Sequence, residues 1–142
     1  PDYAWFASNS DGQTAAVGKK KPNAWGLFDM LGNVAEWTYD QYQADFYQQF
    51  AGKVSENPVA VPTTLYPHSV RGGSFESQAP DLRAAARMAS DPFWKQLDPQ
   101  IPKSNWWFPE APFVGLRLVR PAVKPTHEEI MAYYDKAPIK DF

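Results

Sequence analysis

Residues 23–38 read NAWGLFDMLGNVAEWT, and this stretch decides how the chain folds. Its first half carries large apolar side chains at a density that predicts a buried segment. They are Trp25, Leu27, Phe28, Met30 and Leu31. Gly32 and Asn33 interrupt the run with a turn signal, and residues 34–38 resume as a short strand-like stretch. We therefore expect a buried segment, a buried turn and a strand in direct succession.

The sequence on either side predicts few long regular elements, because 14 Pro and 8 Gly are scattered through it and proline blocks helix interiors and central strands. Residues 1–23, 53–67 and 91–112 read as irregular loops. The expected regular elements are a short amphipathic helix over 40–50, strands over 69–71, 82–88 and 113–119, and a terminal helix through about Lys136. Thr126 and Glu129 form a capping box for that last helix.

Composition narrows the class of protein. The 142 residues fit one domain, and 44% hydrophobic residues with six Trp are enough to form a packed core. A net charge of −2 gives no reason to expect nucleic acid or an anionic membrane as partner. No stretch approaches the ~20 apolar residues that span a bilayer. The absence of cysteine excludes disulfides and thiol chemistry within this chain.

Three blocks of sequence together resemble the formylglycine-generating-enzyme (sulfatase-modifying-factor) family. Residues 23–38 are similar to its signature N-x-x-G-L-Y/F-D/N-M-x-G-N-V-x-E-W. VRGGSF at 70–75 and RAAAR at 83–87 are similar to its R-G-G-S-W/F and R-x-A-x-R pair, and VGLRLV at 114–119 resembles its closing G-F-R strand. The order and the spacing of the blocks both agree with the family.

The resemblance covers roughly residues 3–120 and implies an α+β fold, irregular and C-type-lectin-like, with little regular secondary structure. We expect residues 1–120 to be the C-terminal part of such a domain and residues 121–142 to be a tail with a short helix. The family's N-terminal half is absent from this sequence. We therefore expect a chain or segment carrying that half as a partner, since the apolar surface left behind would otherwise be exposed.

Asp29 and Glu36 are candidate metal ligands, because carboxylates and turn carbonyls are the donors that calcium prefers. Spacing alone favours a simpler interpretation, in which Asp29 caps a turn and Glu36 pairs with an arginine. The resemblance favours a structural calcium site formed by the side chains of Asp29 and Glu36 and the carbonyls of Gly32 and Val34.

The resemblance also bears on copper. Oxidases of the family hold copper through two cysteines after the Gly-Gly-Ser motif, a soft pair suited to Cu(I). Ser77 stands at the first position, and the second falls near residues 79–81, where this chain is shorter. A serine hydroxyl cannot replace a thiolate toward Cu(I). Copper and formylglycine-generating activity are therefore not expected, and whether the protein is an enzyme stays open.

Other polar and aromatic residues have two interpretations each. We expect Arg71, Arg83, Arg87 and Arg117 to have carboxylate or carbonyl partners, with Arg87 the best placed to face a ligand. Trp106 and Trp107 either contact a ligand or partner or fill the core under their loop. His68 and His127 are far apart in sequence and are expected to be surface histidines rather than iron ligands.

These observations lead to two hypotheses. The first is a calcium-stabilised scaffold or binding domain that lacks the copper cysteines and works with the missing N-terminal half. The alternative is a non-haem metal oxidoreductase or an accessory maturation enzyme of the same superfamily. The resemblance favours the periplasm or the extracellular space, although the sequence itself leaves the compartment open. Because Pro1 is not a start methionine, we expect either a processed product or further residues upstream of it.

Overall fold

A computed structural model describes residues 1–95, 98–104 and 111–135. Regular structure in them is sparse. The strands are β1 (Ala35–Gln41), β2 (His68–Arg71), β3 (Met88–Ala89) and β4 (Val114–Gly115), and the α-helix is α1 (His127–Asp135). Three short 3-10 helices cover Phe46–Phe50, Ala79–Leu82 and Pro92–Lys95. The expectation of a mixed, irregular fold with little secondary structure is confirmed.

The four strands form one sheet in the order β3-β2-β1-β4. β2 pairs antiparallel with both β1 and β3, whereas β4 runs parallel to β1. In that parallel pair Glu36 lies opposite Gly115. Because side chains alternate between the two faces of a strand, the residue two positions after Gly115 returns to the face of Glu36. That residue is Arg117, and this register is what brings it to the site described below.

The glycine of the central motif permits a close approach between two backbones. Gly32 has φ 75° and forms an isolated parallel bridge with Trp5. A Cβ atom at Gly32 would lie 2.0 Å from the carbonyl oxygen of Trp5. Next to it, the Asn33 side chain accepts from the Ala15 amide and donates to the Ala15 carbonyl. The turn at residues 32–33 therefore fixes the N-terminal loops against the sheet, as the turn signal predicted.

The core is small for a chain of this composition. Among the described residues, the buried hydrophobic ones are Ala4, Ala35, Ala60, Val70, Phe75 and Leu82. Half of them are alanines, which bury little area. Several large apolar side chains of the described residues are exposed instead, among them Leu118 at 90%, Trp25 at 85% and Val119 at 85%. Much of the apolar surface of the chain is therefore in contact with solvent.

The expectation that the segment after Asn23 is buried is wrong for the chain alone. Trp25 is 85% exposed, and Leu27, Phe28 and Met30 are each about two-fifths exposed. The physical reason lies in the backbone, where positive φ angles at Gly26, Asp29, Gly32 and Asn33 turn the chain repeatedly. The apolar side chains consequently do not gather on one inward face.

Three expected elements also differ in extent. The prediction of a helix over 40–50 is wrong, because β1 continues to Gln41. The Gln41 amide donates to the Ala60 carbonyl. Within 40–50 only Phe46–Phe50 is helical, as a 3-10 helix. Most of the expected strand over 82–88 is a turn closed by the Ala86 amide on the Arg83 carbonyl. The strand over 113–119 shortens to Val114–Gly115.

Two further predictions are confirmed, the irregular loop over 53–67 and the capping box of the terminal helix. Residues 53–67 contain no helix or strand. At α1 the Thr126 amide and hydroxyl both donate to the Glu129 carboxylate, and the Glu129 amide donates back to the Thr126 hydroxyl. This is the reciprocal capping box that the sequence predicted. Lys136 lies outside the described residues. Among those described, no helix has the length and apolar character to cross a membrane.

Candidate functional site

The four positions singled out for calcium line one hollow. It has a volume of about 770 Å³, and its walls include the carboxylates and turn residues Asp29, Gly32, Val34 and Glu36. Val17, Leu27, Phe28, Leu116 and Leu118 supply apolar wall. We call this space the carboxylate hollow. The sequence motif thus brought together the residues that the prediction named, because a single tight turn connects them.

Arg117 joins three parts of the carboxylate hollow. Its Nε donates to both carboxylate oxygens of Glu36, at 3.0 and 2.9 Å, and a terminal nitrogen lies 2.7 Å from Oε1. The same guanidinium donates to the carbonyls of Phe28 and Asp29, at 3.2 and 3.0 Å. The side chains of Arg117 and Glu36 are 34% and 23% exposed. Arg117 therefore fastens the 28–29 turn and the end of β4 to β1.

The charge balance of the hollow follows from this ion pair. Hydrogen bonds to the Glu36 carboxylate raise the pKa of the Arg117 guanidinium above its ordinary value, so the arginine stays charged at any pH at which the protein folds. Asp29 has φ 52°, and its Oδ2 accepts from the Gly18 amide at 2.7 Å. Asp29 capping a turn and Glu36 pairing with an arginine were the simpler interpretation of the sequence, and the structure has both contacts.

The oxygen atoms of these four residues can be compared with the number of oxygen ligands that calcium requires. Two carboxylates and two carbonyls offer up to six oxygens, the lower end of the six to eight that calcium takes. In this conformation the Glu36 carboxylate is held by Arg117, so a calcium ion would have to attract it away or share it. In the described part of the chain no group of three or more His, Cys, Asp or Glu side chains converges, in this hollow or in any other place. A calcium site therefore fits the residues only if Glu36 leaves Arg117 or is shared between Arg117 and the ion.

A second hollow, which the sequence did not predict, lies on the other side of Arg117. It measures about 630 Å³, and Trp25, Met30, Trp37 and Val119 provide apolar walls together with the arginines Arg71 and Arg117. We call it the tryptophan hollow. The many large apolar residues in 25–31 could have indicated this hollow. On the sequence alone they were interpreted as part of the buried core.

The other predicted arginine partners are confirmed. Arg71 donates to the Ala84 carbonyl and the Tyr47 hydroxyl, and Arg83 to the Pro80 carbonyl. Arg87 donates to two carbonyls, those of residues 43 and 44, and lies over the ring of Tyr47, 4.8 Å from its centroid. A ligand contact by Arg87 stays a prediction, since its described contacts are structural.

The structure describes the remaining candidate residues Ser77, His68 and His127, but not the two tryptophans at 106 and 107. Ser77 closes a tight turn, because its Oγ accepts from the Ser74 amide at 2.9 Å. His68 lies on β2 with its ring edge-on to Trp37, and His127 begins α1. Trp106 and Trp107 lie outside the described residues, so their predicted contact with a ligand or partner is not addressed.

Comparisons with known proteins agree with this geometry. The sequence profile of the sulfatase-modifying factor enzyme 1-like domain matches residues 1–99. The chain is 39% identical over 79 residues to serine/threonine-protein kinase pkn1 of Chlamydia pneumoniae, covering 56% of this chain and 12% of that protein. It is 35% identical over 82 residues to the formylglycine-generating enzyme of Thermomonospora curvata, covering 56% of this chain and 27% of the enzyme.

A solved structure is similar as well. Treponema denticola variable protein 1 superposes with a TM-score of 0.50 at 32% sequence identity, over 64% of this chain and 31% of that protein. The chain thus spans less than a third of each of these three relatives. Its profile match nevertheless extends over more than half of its own length. The chain belongs to the family of proteins with a sulfatase-modifying factor enzyme 1-like domain.

Proposed function

We propose that this chain is the C-terminal part of a calcium-stabilised scaffold or binding domain that lacks the copper cysteines and works with a polypeptide carrying the rest of the domain. The observation that supports it best is the apolar surface around Arg117. Leu116, Leu118 and Val119 are 70%, 90% and 85% exposed, next to Trp25 at 85%. Contiguous apolar surface of this kind marks an interface.

The energetics favour a covering partner. Each 100 Å² of apolar surface removed from water contributes about 2.5 kcal/mol, and a folded domain is stable by only about 5–15 kcal/mol. Covering even part of the two hollows would therefore change the stability of the chain substantially. We propose that the complete unit has the C-type-lectin-like topology and that the domain part ends near residue 120.

Calcium would act as a brace in this proposal. Arg117 stays anchored on the carbonyls of Phe28 and Asp29 even if Glu36 turns away from it. Glu36 and Asp29 are then both available to a cation in the carboxylate hollow, with the carbonyls of Gly32 and Val34. Bound calcium supplies charge neutralisation and cross-links between loops, and it offers little redox chemistry.

A binding role is preferred over oxidase activity because of Ser77. Its hydroxyl is engaged with the Ser74 amide and is a poor ligand for Cu(I). The alternative, a non-haem metal oxidoreductase or an accessory maturation enzyme, is distinguished by metal analysis of the purified protein. Stoichiometric iron or copper favours the alternative, and calcium alone favours the scaffold. We propose the periplasm or the extracellular space as its location.

Thermal melting with and without calcium tests the brace. Asp29→Asn is the appropriate variant, because asparagine tolerates the positive φ that alanine would strain. Asp11→Asn is a matched control, since Asp11 is exposed and has φ 54°. Calcium should raise the melting temperature of the parent and of Asp11→Asn, since a ligand bound only by the folded state stabilises it. An equal response in Asp29→Asn, or no response in the parent, rejects the calcium site.

A hydrophobic dye tests the exposed surface. The chain alone should bind the dye strongly, and adding the N-terminal part of the domain should displace it and give a soluble one-to-one complex. Val54→Ser is the control, because Val54 is 97% exposed but lines neither hollow, so it should leave dye binding unchanged. Weak dye binding by the chain alone contradicts the proposal.

A further inference from the structure

Arg117 holds the same two oxygen atoms that a calcium ion would need from Glu36. Its Nε lies 3.0 Å from Oε1 and 2.9 Å from Oε2, and its Nη2 lies 2.7 Å from Oε1. A carboxylate that binds calcium through both oxygens offers these same atoms to the ion. In this conformation a positively charged side chain therefore already occupies the calcium-binding edge of Glu36.

The charges that line the carboxylate hollow make Arg117 and calcium competitors. Among the described residues that line it, two are acidic, Asp29 and Glu36, and one is basic, Arg117. With the carbonyls of Gly32 and Val34, calcium reaches its lower limit of about six protein oxygens only if both carboxylates bind through both oxygens. A shared Glu36 would place the guanidinium next to a divalent cation, and like charges repel more strongly where water is partly excluded. Displacement of Arg117 is therefore favoured over sharing.

Arg117 can release Glu36 and still stay in place. Its Nη2 also donates to the carbonyls of Phe28 and Asp29, at 3.2 and 3.0 Å, and neither of these bonds depends on Glu36. The Arg117 side chain is 34% exposed, so water can solvate the donors that Glu36 leaves, and the large cost of an unpaired, fully buried charge does not arise. The turn at residues 28–29 consequently keeps its link to Arg117 when calcium takes the acid.

From these contacts we infer that Arg117 is an internal counter-ion that calcium must displace from Glu36, and that it keeps the calcium site weak and readily exchangeable. This inference rests on the proposed function, because it concerns the calcium site proposed there. Calcium affinity depends on the charge and the rigidity of the ligand set, and extracellular modules bind calcium with Kd values of about 10⁻⁴–10⁻³ M. We expect this range for the chain, and about tenfold tighter binding once the positive charge at Arg117 is removed.

A calcium titration of the full chain, followed by NMR at constant ionic strength, tests the inference. The Nε–H signal of Arg117 reports its bond to Glu36, and the Gly18 amide signal reports its bond to Asp29. Both signals should shift with the same Kd as calcium chloride is added. The Nε–H proton should also exchange faster with solvent, because it loses its carboxylate acceptor.

Two substitutions separate the charge of Arg117 from its geometry. Arg117→Gln and Arg117→Lys both remove the planar fork of donors, but only lysine keeps the positive charge. The glutamine variant should bind calcium about tenfold more tightly than the lysine variant. Arg83→Gln is the control and should bind like the parent, since Arg83 does not line the hollow. If the glutamine variant binds no more tightly than the lysine variant, Arg117 only positions Glu36 and the inference is overturned.

The outcomes also separate this inference from the proposed calcium site. A Gly18 shift that saturates while the Arg117 Nε–H signal stays unchanged overturns the displacement, although the calcium site survives. Calcium binding by Arg117→Gln but not by the parent supports the counter-ion role and removes calcium from the proposed function. If neither protein binds calcium, the calcium site and the inference both fail.

Discussion

Replacing Arg117 by glutamine should loosen the turn at residues 28–29 without unfolding the sheet. The substitution removes two hydrogen bonds to the Glu36 carboxylate and two to backbone carbonyls. Fully exposed ion pairs contribute about 0.2–1 kcal/mol, and hydrogen bonds to charged groups in buried sites about 1.5–3 kcal/mol. Because the two side chains are 34% and 23% exposed, we expect a loss in the lower part of the second range, about 1.5–2 kcal/mol.

Hydrogen exchange measures this loss locally, so the assay does not require the chain to unfold in one step. The Gly18 amide, which donates to Asp29, should exchange about ten to thirty times faster in Arg117→Gln, since 1.4 kcal/mol corresponds to a factor of ten. Glu36→Gln should have a smaller effect, because the carbonyl contacts of Arg117 remain. Arg83→Gln is the control, since the Arg83 side chain donates to the Pro80 carbonyl and to no other described residue. A change under about twofold in Arg117→Gln, or an equal change in the control, refutes the reasoning.

Gly32→Ala should prevent stable folding, because its Cβ would lie 2.0 Å from a backbone oxygen. Gly18→Ala is the control, since Gly18 has a similar φ of 71° with open space around it, and the substitution should cost only about 1–2 kcal/mol. Soluble yield and circular dichroism of the two variants measure the difference. Hydrogen bonds from Thr126 hold the pKa of Glu129 below its ordinary 4.5, so its contribution to α1 is present above that value and is lost as the pH falls through the folded pKa. Helical circular dichroism should therefore show an acid-side step that Glu129→Gln lacks. The chain should form no aldehyde from a Cys-x-Pro-x-Arg peptide with oxygen and copper, because Ser77 is not a thiol, and product well above a no-enzyme control contradicts this.

The sequence predicted those features of the structure that depend on residues close together in the chain. Thr126 and Glu129 are three positions apart, and a capping box needs no information from elsewhere in the chain. The turn at Gly32 and Asn33 was predictable for the same reason, since few residues adopt positive φ. The candidate calcium positions came from the family resemblance of one short motif, since spacing alone favoured the simpler interpretation; the turn brings these positions into one hollow, and calcium itself stays a proposal.

Contacts between distant segments were not predictable. Glu36 and Arg117 are 81 positions apart, and only the parallel register of β1 and β4 brings them together. Trp25 illustrates the opposite failure, because apolar density was interpreted as burial although that side chain is 85% exposed in the described part of the structure. Sequence patterns report that a residue prefers an apolar environment, and they do not report whether the same chain provides it.

Differential scanning calorimetry tests the central claim, that these 142 residues complete their core only with the N-terminal part of the domain, carried by another chain or by a further segment. A self-sufficient domain of 142 residues should unfold in one sharp transition with an enthalpy of about 100 kcal/mol. We predict a broad transition with less than about half of that enthalpy for the chain alone, and a single sharp transition once the N-terminal part of the domain is added. A sharp, cooperative transition of full enthalpy from the chain alone, as a monodisperse monomer, would contradict the account.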